Sequence, residues 1–405
     1  MRFRFPLSAS YYAEQIFDAG YAYTDGEREA RNAKELQEIF VGHGANEVYA
    51  RIGTSRHKPA LYDDDTSLDA GVARARLAAD LGLPFNPLLF LSRNYGDMTG
   101  QPHPVFDGYP ELSLDRPWEA LTIDEMADHL RRFAAIAAAA IVETGARVSV
   151  WNLGNEVDMG IAGVTPQPIE MGQWDEVDGV ADWYRGPDAI DPEIGRTSVE
   201  ALFELSHDER IAWLSEHVWP HEARLLAAAA EGVRSADPDA KFATHIGNQP
   251  PARGWATAFF RAMKRGGYRI DQPGISMYPT INPASDEDFA NMKEEIRALQ
   301  DEFGVPVMIN EFGYPAGPTD ETFGDWKHAL EGYPLTEDGQ ARMFEDVVAW
   351  GLSEGIAGIN PWAPDLVMPV WVQMTFFRIE GTVAIARPIM NAFERALERA
   401  GSGRA

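Results

Sequence analysis

A chain of 405 residues with 45% hydrophobic and 11% aromatic residues carries ample apolar surface for a folded core, which excludes an intrinsically disordered protein. Its formal charge of −28, from 63 acidic against 35 basic residues, disfavours nucleic acid and anionic lipid as partners, because Lys and Arg are what neutralise phosphates. The absence of cysteine removes disulfides, thiolate nucleophiles and thiolate-ligated zinc together.

The first ten residues, MRFRFPLSAS, contain two arginines but no apolar run leading to a small-residue cleavage site, so they do not read as a signal peptide. That predicts a cytoplasmic protein, or a secreted one if an export segment precedes this sequence. No uncharged apolar stretch of about 18 residues occurs; the nearest, 133–142, is flanked by charge and too short to span a bilayer. A soluble protein with no membrane partner is expected.

Internal repeats are absent, but a strand followed by a helix recurs. A first strand is expected somewhere within 4–23, ahead of a helical pattern at 27–43. Apolar runs of strand length, ended by polar residues or by Gly and Pro, follow at 47–52 (EVYARI), 85–91 (FNPLLFL), 147–153 (RVSVWNL), 241–246 (KFATHI), 274–278 (GISMY), 305–310 (VPVMIN) and 356–361 (IAGINP). Helical spacing with charged faces occupies 68–81, 123–144, 213–235, 255–265, 286–303 and 337–354. Alternation over the whole chain argues for a parallel sheet, and eight strands fit a closed α/β fold, the (β/α)8 TIM barrel, as one domain over 1–405. A doubly wound sheet would place G-x-G-x-x-G after its first strand, and nothing of that form follows a strand here. The stretch 157–239 is too long for a simple connection. With Trp174, Trp183, Tyr184, Trp213 and Trp219 it predicts an enlarged loop or subdomain after the fourth strand, which either walls a cleft or packs as its own small core.

In a barrel of this kind the active site forms at the C-terminal ends of the strands. The fourth strand runs into Asn155 and Glu156, the sixth into Tyr278, the seventh into Asn310 and Glu311, and the eighth into Trp362. Glu156 and Glu311 are expected from opposite sides of the barrel, projecting into one mouth. Paired carboxyls suit glycosidic bond cleavage: one protonates the departing oxygen and the other, about 5 to 5.5 Å away, attacks the anomeric carbon. The acid must be kept protonated by its surroundings, while the nucleophile stays ionised by accepting hydrogen bonds. Glu156 is the expected acid/base and Glu311 the expected nucleophile, with Tyr278 and Arg51, at the end of the second strand, holding its oxygens. A single glutamate at a strand end is more often solvated or salt-bridged; two, each preceded by Asn and accompanied by Tyr278 and Trp362, point to catalysis.

Several stretches carry a resemblance: LGNEV (153–157), KFATHIGN (241–248), GISMYP (274–279), INEFGYPAG (309–317) and INPWAP (359–364), with weaker agreement in ANEVYARI (45–52). The Asn-Glu of the fourth strand and the Glu of the seventh resemble those of the clan A retaining glycoside hydrolases. The motifs are most similar to glycoside hydrolase family 53, the arabinogalactan endo-β-1,4-galactanases. The resemblance implies retaining cleavage of a β-linked glycan or oligosaccharide, galactan-type, by double displacement and without a cofactor. It also implies that Asn155 hydrogen-bonds the sugar 2-hydroxyl, that Tyr278 orients the nucleophile, and that Trp362 forms the platform beneath the cleaved sugar. The family's third strand normally ends in a histidine-containing segment, where this chain has Ser92, Arg93 and Asn94.

Two other readings stay open. His245 on the fifth strand could bind sugar, serve as a hydrogen-bonded structural residue, or join Glu156 and Glu311 around a divalent metal, as in a sugar isomerase or epimerase. No H-x-H pair or HExxH helix supports the metal, and none is expected. Aspartates 63–65 and 286–288 do not match an EF-hand and read as loop and helix-cap residues. A carbohydrate-binding barrel that has lost catalysis is the third possibility, against which stands the presence of both glutamates with their supporting residues.

Overall fold

The computed structural model describes residues 2–58, 65–98, 100–166, 190–194, 197–247, 254–280, 285–319, 328–368 and 371–402. The fold is the (β/α)8 barrel. Seven strands, Val48–Ile52, Phe85–Leu89, Trp151–Leu153, Phe242–Ile246, Gln272–Met277, Met308–Phe312 and Gly358–Pro361, form one curled sheet whose order follows the sequence. Every residue of Phe85–Leu89, Phe242–Ile246, Gln272–Met277 and Met308–Phe312 is buried, as a parallel sheet covered on both faces requires, and this explains their near-continuous apolar character. By internal packing the chain forms two compact units, Ala50–Gly274 and Met1–Tyr49 with Ile275–Ala405.

In the unit Ala50–Gly274, Thr122 and Glu125 make a reciprocal capping box that starts the helix Ile123–Val142. Its buried face, with Ala134, Ala137 and Ala138, lies along the alanine-rich helix Trp219–Ala236. The contact is close enough that a Cβ on Gly232 would stand 2.0 Å from the carbonyl oxygen of Arg131, so glycine is required there. The helix expected at 213–235 is two helices, His207–His217 and Trp219–Ala236, broken at Val218 with Pro220 in the first turn of the second, where its missing N–H costs nothing. Trp219 is fully buried and meets Trp255 and Phe259 edge-on, so it belongs to the core and does not wall a cleft. Trp174, Trp183 and Tyr184 lie outside the described residues, as do Asp63 and Asp64. The strand expected at 147–153 is interrupted: Val148 makes an isolated bridge to Phe85, and only Trp151–Leu153 is continuous. Within the sheet, the buried Asn152 amide donates to the side chain of Asn86 on the neighbouring strand, so each satisfies the other.

In the unit Met1–Tyr49 with Ile275–Ala405, the expected first strand is an extended segment held by mixed bonds. Arg4 pairs in parallel with Gly358, its N–H donating to Ala357 O at 2.9 Å and its carbonyl accepting from Ile359 at 3.1 Å. On its other side Phe5 O accepts from the Asn46 N–H at 3.1 Å, Asn46 Oδ1 accepts from the Phe5 N–H at 2.9 Å, and Ser8 Oγ accepts from the Tyr49 N–H at 2.9 Å. Pro6 lacks a donor, which is why side chains stand in for part of the ladder. A second sheet, unanticipated, runs in the order Phe377–Glu380, Val383–Ala386, Ala22–Thr24, Glu29–Ala30. Because 29–30 are strand, the helix expected at 27–43 starts only at Ala33, where Asn32 caps it by accepting from the Glu35 N–H. Asp286, Glu287 and Asp288 occupy the first turn of Asp286–Phe303, with Ser285 and Asp288 completing a capping box. Among the described residues no helix is long and apolar enough to cross a membrane.

A Cβ on Gly358 would stand 2.2 Å from the Arg4 carbonyl oxygen. Gly358→Ala should therefore push the N-terminal segment away and lower the urea midpoint by the equivalent of about 1–3 kcal/mol. An unchanged midpoint would show that the segment contributes nothing to closing the sheet.

Candidate active site

In the unit Ala50–Gly274, the strand Trp151–Leu153 turns sharply at Gly154 (φ +76°), where a Cβ would meet the side chains of Val157 and Ile161. Asn155 and Glu156 follow. Glu156 is buried and sits in the left-handed region, φ 47° and ψ 55°, a conformation that costs an L residue roughly 1–2 kcal/mol. The backbone here is held from the segment after the third strand. The Gln101 amide donates to Asn155 O at 2.8 Å, with a longer contact of 3.4 Å to Glu156 O, and Asn155 Nδ2 donates to Gly96 O at 2.9 Å. A carboxylate oxygen of Glu156 lies within 4.8 Å of a ring nitrogen of His245, itself fully buried on Phe242–Ile246. Arg51, buried on Val48–Ile52, places its guanidinium 5.5 Å from the centre of the Tyr95 ring. In the same segment Ser92 is buried with its hydroxyl donating to Asn94 O at 2.9 Å. His103 lies beyond it, and burial together with the charge of Arg93 pushes its ring down to about 4, so it is neutral at physiological pH.

In the unit Met1–Tyr49 with Ile275–Ala405, Glu311 is buried on Met308–Phe312, beside the buried Asn310. The Tyr278 hydroxyl, one residue beyond Gln272–Met277, donates to Glu311 Oε2 at 2.5 Å. A Cβ on Gly313 would stand 2.9 Å from the Tyr278 ring and 2.4 Å from Met374 Cε, so glycine leaves the phenol room to lie where it does. Trp362, just past Gly358–Pro361, is half-buried and takes a hydrogen bond geometry fixed by its N–H to Phe312 O at 2.9 Å. Trp371 packs edge-on against it at 4.5 Å, and both rings lean on Tyr278 and Met374. In this unit Tyr278 thus joins Glu311 to Trp362, and in the unit Ala50–Gly274 Glu156 lies close to His245.

Sequence reasoning passed over Gln101, Gly313, Asp158 and Glu222. Asp158 stands two residues after Glu156 and is fully buried. Its Oδ1 accepts from the Gly247 N–H at 2.8 Å and its Oδ2 from the Trp255 indole at 3.0 Å. Glu222, on Trp219–Ala236, is also fully buried, and among the described residues neither of its oxygens has a hydrogen-bond partner. Burial, with a smaller contribution from the charge of Asp158, raises its pKa well above the ordinary 4.5 and so favours the protonated form.

The family model for glycosyl hydrolase family 53 matches residues 193–383. No curated protein sequence matches the chain. Among solved structures it is similar to a fungal β-1,4-galactanase, at 18% identity and TM-score 0.68 over 98% of this chain and 99% of that one. It is similar to the family 53 catalytic domain of Ignisphaera aggregans, at 18% identity and TM-score 0.67 over 98% and 96%. It is also similar to a family 1 β-glucosidase from Thermotoga maritima, at 12% identity and TM-score 0.55 over 98% of each chain. At these identities the likeness is one of fold. The family match takes in slightly less than half of the chain, and the fold it shares with these structures is the barrel. By that match the chain is similar to glycosyl hydrolase family 53.

The buried proton on Glu222 gives a test of the core beside Asp158. The unfolded chain releases this proton near pH 4.5, whereas the folded protein holds it to higher pH, so unfolding releases a proton and stability falls as pH rises from 4.5 toward the folded-state value. The slope is at most about 1.4 kcal/mol per pH unit. Glu222→Gln removes the titration, so its melting temperature relative to the parent should climb as pH rises above that of ordinary carboxylates. Parallel curves for the two proteins would mean that the carboxyl is not held neutral.

Proposed function

We propose that this protein is a retaining glycoside hydrolase acting on β-1,4-linked galactan, with Glu311 as nucleophile and Glu156 as acid/base. The observation that carries the reading is the hydrogen bond from Tyr278 to Glu311 Oε2, made to a buried carboxylate at a strand end beside the half-buried ring of Trp362. A phenolic donor stabilises the ionised form and fixes one oxygen of the carboxylate. The ring of Trp362 is suited to the apolar face of a pyranose. Galactan is favoured by the family match and by the fungal β-1,4-galactanase among the similar structures.

In the first step an oxygen of Glu311 bonds to the anomeric carbon while the glycosidic bond breaks, and the proton of Glu156 passes to the leaving oxygen. In the second, Glu156 takes a proton from water, the water oxygen attacks the anomeric carbon, and Glu311 departs as carboxylate. Two inversions give net retention. Asn155 and His245, on the same side as Glu156, are assigned to the sugar, Asn155 to its 2-hydroxyl; Arg51 and Asn310 are assigned to substrate contacts at the rim.

Incubation with β-1,4-galactan and with aryl β-galactosides, with and without EDTA, tests this. Cleavage should survive the chelator, and Glu311→Ala and Glu156→Ala should each lose about 10²–10⁴-fold in rate. Azide should rescue Glu311→Ala to the inverted α-galactosyl azide and Glu156→Ala to the retained β-azide. Ketose formation that needs a metal would instead favour an isomerase, and binding without turnover a carbohydrate-binding barrel. Tyr278→Phe removes a hydrogen bond to a charged group, of about 1.5–3 kcal/mol, so kcat/KM should fall roughly 10- to 150-fold with the loss mainly in kcat. A loss below about twofold would leave the Tyr278 contact without a catalytic role.

A further inference from the structure

The loop that carries Glu156 has a conformation its own sequence does not favour. Within it Gly154 (φ 76°), Glu156 (φ 47°), Gly160 (φ 132°), Ala162 (φ 53°) and Gly163 (φ 79°) all have positive φ, and two of these residues carry a Cβ. Backbone of this kind persists only where its surroundings impose it. The loop's own regular bonding is slight, a 3₁₀ turn at Val157–Met159 and a bridge between Ile161 and Val164.

Besides the Gln101 amide and the Trp118 indole, which donates to Ala162 O at 2.8 Å, three of the bonds that impose it converge on Asp158. One carboxylate oxygen takes the N–H of Gly247, two residues beyond His245, and the other takes the indole of Trp255, the first residue of Trp255–Arg265. Its main-chain oxygen takes the indole of Trp219, the first residue of Trp219–Ala236, at 2.8 Å. One residue therefore ties the Glu156 loop to the end of the fifth strand and to the first residues of two helices. An ionised carboxylate suits this position because it accepts from two donors and brings no donor of its own, whereas an amide would turn an N–H₂ toward either Gly247 or Trp255. A buried charge is tolerated only when compensated, and here burial of Glu222 in the field of Asp158 favours the uncharged form of Glu222.

We propose that Asp158 is the positioning residue for the acid/base: through Gly247 and Trp255 it fixes where the Glu156 carboxyl stands relative to the leaving-group oxygen and keeps it in register with His245. This rests on the reading of Glu156 as acid/base. Misplacing Glu156 weakens proton delivery and water activation while leaving the nucleophile untouched, which a general loss of folding would not do.

The test uses the full chain with aryl β-galactosides whose leaving groups range from dinitrophenolate, which departs without a proton, to phenolate, which needs one. Asp158→Asn should lose on the order of 10²-fold in kcat/KM on the phenyl substrate and remain near the parent on the dinitrophenyl one. Azide should raise its turnover of the dinitrophenyl substrate and give β-galactosyl azide. Glu222→Gln should behave as the parent on all substrates. Equal losses across the leaving groups, or none, would overturn the proposal. Where Asp158→Asn does not fold, Trp255→Phe removes a single donor and should show the same leaving-group dependence at about tenfold, about the worth of one hydrogen bond to a charged group; a flat response there would overturn it equally. Glu156→Ala is run in parallel. A flat response from Glu156→Ala itself would sink the acid/base assignment, whereas a steep one beside a flat Asp158→Asn would sink only the role of Asp158.

Discussion

A carboxyl group taken out of water must be met by donors or by a proton, and this requirement organises the chemistry of the chain. Glu311 has the Tyr278 hydroxyl, which donates to one of its oxygens. Asp158 has a main-chain N–H and an indole, one for each oxygen. Glu222 has neither among the described residues, and burial favours its protonated form. Glu156 is positioned through its main chain, whose carbonyl and that of Asn155 face the Gln101 amide. Buried acids thus come to differ in the donors that meet them because of neighbours that lie far away in the sequence, and a double displacement needs two carboxyls that are unequal.

Glycine and small residues provide the room for these neighbours. Gly313 clears the space that the Tyr278 ring occupies, and Gly154 allows the chain to leave its strand in the direction that places Glu156. At 18% identity the fungal galactanase and the Ignisphaera aggregans domain share the fold with TM-scores of 0.68 and 0.67, so the fold tolerates replacement of most side chains. The family match over 193–383 takes in Tyr278, Glu311 and Trp362 but not Glu156. The acid/base assignment therefore leans on the motif at 153–157 and on the loop geometry, which gives the positioning of that loop its weight.

The barrel was legible because its strands are buried on both faces: runs such as FATHI and FNPLL have no polar side to confuse them with amphipathic elements. The sheet formed by Ala22–Thr24, Glu29–Ala30, Phe377–Glu380 and Val383–Ala386 was not, because strands of two to four residues are too short to show a period. The break at Val218 was overlooked because amphipathic spacing runs through it, although Pro220 was a visible signal. Asn155, Glu156, Tyr278, Glu311 and Trp362 stood out as polar or aromatic residues at strand ends. Asp158 and Glu222 did not, since an acid on a loop or helix reads as solvated, and only the bonds of Asp158 to Trp219, Gly247 and Trp255 and the full burial of Glu222 reveal otherwise.

Trapping the reaction at its midpoint addresses the central claim most directly. A 2-deoxy-2-fluoro-β-galactoside with an activated leaving group slows both steps, the second more than the first, so that the glycosylated enzyme accumulates and can be digested and weighed. The account predicts one fluorosugar per chain, on the peptide that contains Glu311. A label on any other residue, or release of product with inverted configuration and no label, would contradict it.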